Sequence, residues 1–144
     1  MDEDLTPCVP KKFWVVACLA LIWNLMGCVI FYGEMFQQEA MISGFESDQQ
    51  AWVRGTPGWI YVIFCISVMT GVVGSVLLLL KSKVCIPLFG ISFITVLVQM
   101  TFTMVIAGGI DVMGPSAAIM PTIVTLLAAA WLGFSVQALR KGWL

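Results

Sequence analysis

Apolar residues crowd into four runs, 13–36, 59–80, 84–107 and 117–137, parted by short polar segments. Each run, wound as a helix rising about 1.5 Å per residue, spans a hydrocarbon layer of about 30 Å. The pattern predicts an all-α protein: four transmembrane helices, antiparallel to their neighbours, in a single membrane domain over 1–144 with no soluble part.

The segments between the runs refine this picture. Pro7 and Pro10 keep residues 1–12 from forming a long helix before the membrane. The segment 37–58 holds most of the polar residues, and Phe45 and Trp52, seven apart, are expected on one face of a short surface helix. Thr56-Pro57-Gly58-Trp59 marks the return to the membrane, with Pro57 suited to a first helical turn and Trp59 to the interface. Lys81-Ser82-Lys83 is so short that the second and third helices must lie side by side. Residues 108–116 are rich in turn formers, and Pro121 should bend the fourth helix or fix its start.

The chain is 60% hydrophobic and 10% charged, far from the half apolar and quarter charged composition of soluble domains. Its net charge of −1 gives nucleic acid nothing to bind. Charge placement says more. Lys11, Lys12, Lys81, Lys83, Arg140 and Lys141 fall on one side of a four-span topology and only Arg54 on the other. Short basic loops stay in the cytoplasm, so both termini are expected there. Glu34, Glu46, Asp48 and Asp111, with Glu39, form an outer acidic surface, read either as solvation or as a docking face for a basic partner or cation. The start Met1-Asp2-Glu3-Asp4 lacks a positive n-region, so the first span is expected to be retained rather than cleaved. No cysteine falls in an outer loop, and no disulfide framework is expected.

Histidine is absent, as are Cys-x-x-Cys, a phosphate-binding glycine loop and HExxH. No catalytic residue, metal ligand or cofactor site is expected, and the chain reads as a non-enzyme. A weaker reading places acid–base chemistry on Glu34, Asp111 or Asp48. Glu34 lies about 33 Å along a helix from Lys12, at the outer boundary. The small multidrug transporters, which also have four helices in a short chain, carry a carboxylate well inside the first span, and the depth of Glu34 sets this chain apart from them. Two amides lie deeper: Asn24 at about 18 Å from Lys12 and Gln99 at about 24 Å from Lys83. Each is expected to face protein or a wet cavity, as a packing hydrogen bond or, with Ser67 and Trp23, as the lining of a solute site. Ser67, Gly71 and Ser75 recur every four residues with Gly74 beside them, a small-residue ridge for close helix packing or an oligomer contact. Thr95, Thr101, Thr103, Thr122 and Thr125 can satisfy their hydroxyls on their own helices.

Lys12-Phe13-Trp14, Leu21-Ile22-Trp23-Asn24-Leu25-Met26-Gly27, Thr56-Pro57-Gly58-Trp59, Leu77-Leu78-Leu79-Leu80-Lys81 and Lys141-Gly142-Trp143-Leu144 together resemble a group of small bacterial four-helix inner-membrane proteins. Members are often labelled uncharacterised or, by automated naming, sugar transporter. The resemblance implies a bacterial inner membrane and assigns no site residue. The function expected first is a non-enzymatic accessory or scaffold protein packed against other membrane subunits or copies of itself within the lipid bilayer. The alternative is an oligomeric carrier for a small neutral solute such as a sugar.

Overall fold

The computed structural model describes residues 8–144; Asp2, Glu3, Asp4 and Pro7 lie outside the described residues. Helix is the only regular structure among them. The long helices are α1 (Lys11–Phe36), α4 (Gly58–Leu79), α5 (Cys85–Thr101) and α7 (Ile119–Arg140). A π-helical turn, Phe102–Ile106, extends α5, and a 3₁₀ turn, Pro115–Ala118, leads into α7. With these extensions, all four are long and apolar enough to cross a membrane. Three short helices cap the other segments: α2 (Gln38–Ile42), α3 (Ser47–Arg54) and α6 (Gly109–Met113).

The helix ends follow local chemistry. Extended Pro10 starts α1, and the Phe13 N–H donates to its carbonyl at 2.9 Å, so Lys11 and Lys12 form the first turn rather than preceding it. Pro57 is extended and stands just before α4 instead of inside its first turn. Pro87 and Pro121 each lie in the first turn of their helices, where a missing N–H removes no helical bond. Both α4 and α7 close with the same backbone pattern, in which an N–H reaches back five residues: Ser82 to Leu77 at 2.8 Å and Trp143 to Ala138 at 2.9 Å. That pattern needs a left-handed residue, supplied by Gly142 at φ 70° and by Lys81 at φ 55°.

Packing is sequential: α4 lies against α1 on one side and α5 on the other, and α5 lies against α7. The Lys-bearing end is the tightest. Phe13, Ala17, Leu78, Cys85, Phe89 and Ala138 form a closed cluster there, joining the start of α1 to the end of α4, the start of α5 and the end of α7. Trp143 folds back edge-on to Phe13 at 6.1 Å, and the ammonium groups of Lys141 and Lys12 lie 5.0 and 5.7 Å from its ring centre.

The small-residue ridge of α4 is used inside the chain. Ser67, Gly71, Gly74 and Ser75 are all buried. Gly71 receives the Asn24 side chain of α1, and a Cβ there would collide with the Asn24 carbonyl oxygen. Gly74 receives the Phe89 ring of α5, 3.3 Å from where a Cβ would stand. The ridge therefore makes the α1–α4 and α4–α5 contacts and offers no face to another chain. On α7, by contrast, Gly133 is exposed with open space where a Cβ would go.

Gly71→Ala is accordingly expected to destabilise the bundle by about 1–3 kcal/mol, through overpacking and displacement of Asn24. Gly133→Ala should be close to neutral. Reversible unfolding in mixed micelles with increasing dodecyl sulfate, followed by circular dichroism, checks the pair.

Candidate functional site

A cavity of about 470 Å³ opens between the four long helices. Its walls come from one face of each, and the residues on those faces recur at helical spacing. From α1 come Trp23, Asn24, Gly27, Ile30 and Glu34; from α7 come Pro121, Val124, Ala128 and Trp131. The floor lies near Phe89, and the mouth is roofed by Phe45, Trp52 and the α2 residues Gln38, Met41 and Ile42. Because α1 and α7 both flank α4 and α5, and meet through the aromatic cluster at the Lys-bearing end, the space between them continues upward as a groove.

Most polar groups in the wall already have partners. The Asn24 amide donates to the Ala20 carbonyl at 2.8 Å and to Ser75 Oγ at 3.2 Å; Ser75 Oγ donates in turn to the Gly71 carbonyl at 2.8 Å. Ser67 and Ser92 clasp α4 to α5: Ser92 Oγ donates to the Ser67 carbonyl at 3.0 Å and Ser67 Oγ to the Ser92 carbonyl at 3.4 Å. Thr95, Thr103, Thr122 and Thr125 donate to carbonyls four residues back at 2.7–2.8 Å, whereas the exposed Thr101 hydroxyl has no such bond. Gln38 Nε2 donates to the Tyr61 hydroxyl at 2.7 Å.

Several polar groups in the wall are left without a partner among the described residues, Gln99 and Trp131 among them. Gln99 is only 7% exposed, lines the cavity, and its side-chain amide has no hydrogen-bond partner among the described residues. The indole N–H of Trp131, on the wall contributed by α7, is buried and likewise unpartnered. A buried donor without a partner costs roughly 1–3 kcal/mol, which falls on the Trp131 indole alone, whereas the Gln99 amide remains accessible and free to bond whatever occupies the cavity.

All of Asn24, Gln99, Ser67 and Trp23 border this one cavity. Asn24 and Ser67 hold helices together, however, and Gln99 does not. The outer acidic residues separate into two groups. Glu34 is half-buried and faces the cavity, away from the others. Glu46 caps α3 in a capping box with Gln49, Asp48 lies in the first turn of α3, and Asp111 lies in the first turn of α6; all three are exposed. Carboxylates at helix starts satisfy free N–H groups and the local dipole, which gives these residues a structural task. Among the described residues, no three acidic, cysteine or histidine side chains gather in a way that would hold a metal ion.

Sequence reasoning missed Trp131, Tyr61 and the cavity-facing role of Glu34. For Glu34 the signal was available: Trp23, Gly27, Ile30 and Glu34 are spaced four, three and four apart, which is one helix face. The roof also differs from expectation. Residues 38–54 form two helices rather than one, so Trp52 sits on α3 while Phe45 lies in the turn before it. The Trp52 indole donates to the Ala107 carbonyl at 2.7 Å, and its ring lies against Gly109, where a Cβ would stand 3.0 Å from it. Ala107 follows the π-turn, whose wider winding is closed by a 2.7 Å bond from its N–H to the Phe102 carbonyl. Arg54 clamps the roof by donating to both carboxylate oxygens of Glu39, at 2.9 and 2.7 Å.

No family model matches this chain, and no curated protein or solved structure is similar to it.

The hydrogen bond from Arg54 holds the Glu39 carboxyl below its ordinary value of 4.5. With the folded value below the unfolded one, the clamp is at full strength above the ordinary carboxylate range and is lost as pH falls through the lower folded value. Hydrogen exchange in α2 and α3, corrected for intrinsic rates, should rise on acidification in the wild type. Arg54→Gln should show the raised exchange already at neutral pH, with little further change in acid.

Proposed function

We propose that this chain is a non-enzymatic, multi-pass membrane protein whose interior cavity binds a small, mostly apolar molecule. The observation that carries the reading is Gln99, a residue more than nine-tenths buried that borders the cavity with an accessible amide and no partner for it among the described residues. A volume of about 470 Å³ lies in the ~300–1,000 Å³ range of small-molecule sites. The walls are chiefly aliphatic, aromatic and methionine side chains, and methionine adapts its shape to irregular ligands. This favours a lipophilic ligand over a sugar. A sugar needs many hydrogen-bond partners, and Asn24, Ser67, Ser92 and Thr103 are already engaged.

The helices run alternately up and down in this reading, with both termini and the 81–83 turn in the cytoplasm and the cavity mouth outside. The clustering of Phe13, Leu78, Cys85 and Ala138 supports the alternation, and six of seven basic residues at that same end support the orientation. The resemblance to small bacterial membrane proteins would place it in an inner membrane. An accessory role beside other membrane subunits or a second copy is a further reading, favoured by the exposed Ala130 and Gly133 of α7.

Phosphatase and fluorescent-protein fusions to the C-terminus test the topology: fluorescence without phosphatase activity is expected, and the reverse result overturns it. For the cavity, protein in nanodiscs is titrated with triphenylphosphine oxide, a neutral lipophilic probe, while tryptophan emission is followed. Saturable quenching is expected, weakened about 3- to 30-fold by Gln99→Leu if one membrane-buried hydrogen bond is lost. Quenching that only tracks partition into protein-free discs removes the reading.

A further inference from the structure

Among the described residues, Glu34 is the only charged side chain that borders the cavity. It makes no ion pair and no hydrogen bond among the described residues; their single salt bridge joins Arg54 to Glu39. A carboxylate facing a mostly apolar space is costly unless a cation meets it or a proton neutralises it. No side chain at this end of the bundle supplies that cation. Arg54 is committed to Glu39 and Gln50. The other basic residues, Lys11, Lys12, Lys81, Lys83, Arg140 and Lys141, sit at or beside the opposite ends of the long helices, where Phe13, Leu78, Cys85 and Ala138 close the bundle.

The surroundings of Glu34 suit a positive charge. Trp23, Phe45, Tyr61 and Phe64 present aromatic rings along the same cavity, and ring faces attract cations, most strongly where water is excluded. Around the mouth, Glu39, Glu46, Asp48 and Asp111 outnumber Arg54, so the local potential draws cations in and turns anions away. Deeper in, Met100, Val124 and Trp131 offer an apolar bed. Charge, aromatic walls and apolar depth thus follow one another along the groove.

We infer that the occupant of the cavity is a lipophilic organic cation, with its positive centre held by Glu34 near the mouth and its apolar body lying inward toward Gln99 and Trp131. The inference rests on the reading of the cavity as a small-molecule site and names the chemical class of its ligand. Glu34 serves as counter-charge, the Gln99 amide meets whatever polar atom the body carries, and Trp131 adds apolar ring surface.

Methyltriphenylphosphonium and triphenylphosphine oxide have nearly the same shape and differ in charge, so comparing their tryptophan quenching in nanodiscs isolates the charge. Wild-type protein should bind the cation about tenfold more tightly than the neutral oxide, and anionic tetraphenylborate should not saturate. Glu34→Gln should bring the cation down to the level of the oxide while leaving the oxide unchanged. Glu34→Asp should keep most of the preference. Equal binding of cation and oxide by wild type, a comparison that needs no variant to fold, overturns the inference and leaves the cavity reading standing. A preference that survives in folded Glu34→Gln also overturns it. Saturable binding of neither probe removes both.

Discussion

The bundle depends on the seating of one amide. Asn24 projects from α1 into the space left by the missing side chain of Gly71 and donates to Ser75 one turn further along α4. In lipid no water is present to satisfy an amide, so Asn24 must find its partners in protein or burden the helix that carries it. Gly71 lets the two backbones approach closely enough for that bond, and Gly27 and Val68 continue the contact on the same faces. Once α1 is fixed against α4 in this register, the direction of its Trp23–Gly27–Ile30–Glu34 face is fixed too.

The order of packing then makes a cavity unavoidable. Two central helices, α4 and α5, are joined by the short 80–84 connection and clasped by Ser67 and Ser92. The two flanking helices are added on the outside, one to each. Flanking helices held at opposite edges close on each other only where large side chains fill the distance, which Phe13, Phe134 and Trp143 do at one end. Elsewhere among the described residues no comparable bridge joins α1 to α7, small Gly27 and Ala128 stand in the wall, and a gap persists. The short helices 38–54 cover its mouth, held by the Glu39–Arg54 clamp and by Trp52 docked on the carbonyl of Ala107.

Much of this was legible in the chain. Four apolar runs gave four membrane-length helices with ends displaced by only a few residues, because length and hydropathy decide a membrane helix almost alone. The small residues of α4 announced close packing, and the depth of Asn24 and Gln99 announced protein-facing amides. Their different fates were not legible: which amide finds a hydroxyl depends on the rotation of α1 against α4, and nearly uniform hydrophobicity around these helices leaves no polar stripe to reveal rotation. The places of Glu46, Asp48 and Asp111 at helix starts were not legible, because α3 and α6 are too short to leave a periodic signal. The π-turn was hidden for a related reason, since nothing in Phe102-Thr103-Met104-Val105-Ile106 departs from ordinary helix composition.

One backbone position has implications beyond folding. The turn after α4 puts Lys81, a residue with a full side chain, in the left-handed conformation that glycine adopts without strain, while the matching turn after α7 uses Gly142. A left-handed residue bearing a Cβ costs on the order of 1 kcal/mol. In the proposed orientation, an ammonium group at that site joins Lys83 in holding a hairpin as short as 80–84 back from translocation. On that reading, a slightly tighter corner in the finished protein goes with a growing polypeptide threaded the right way round.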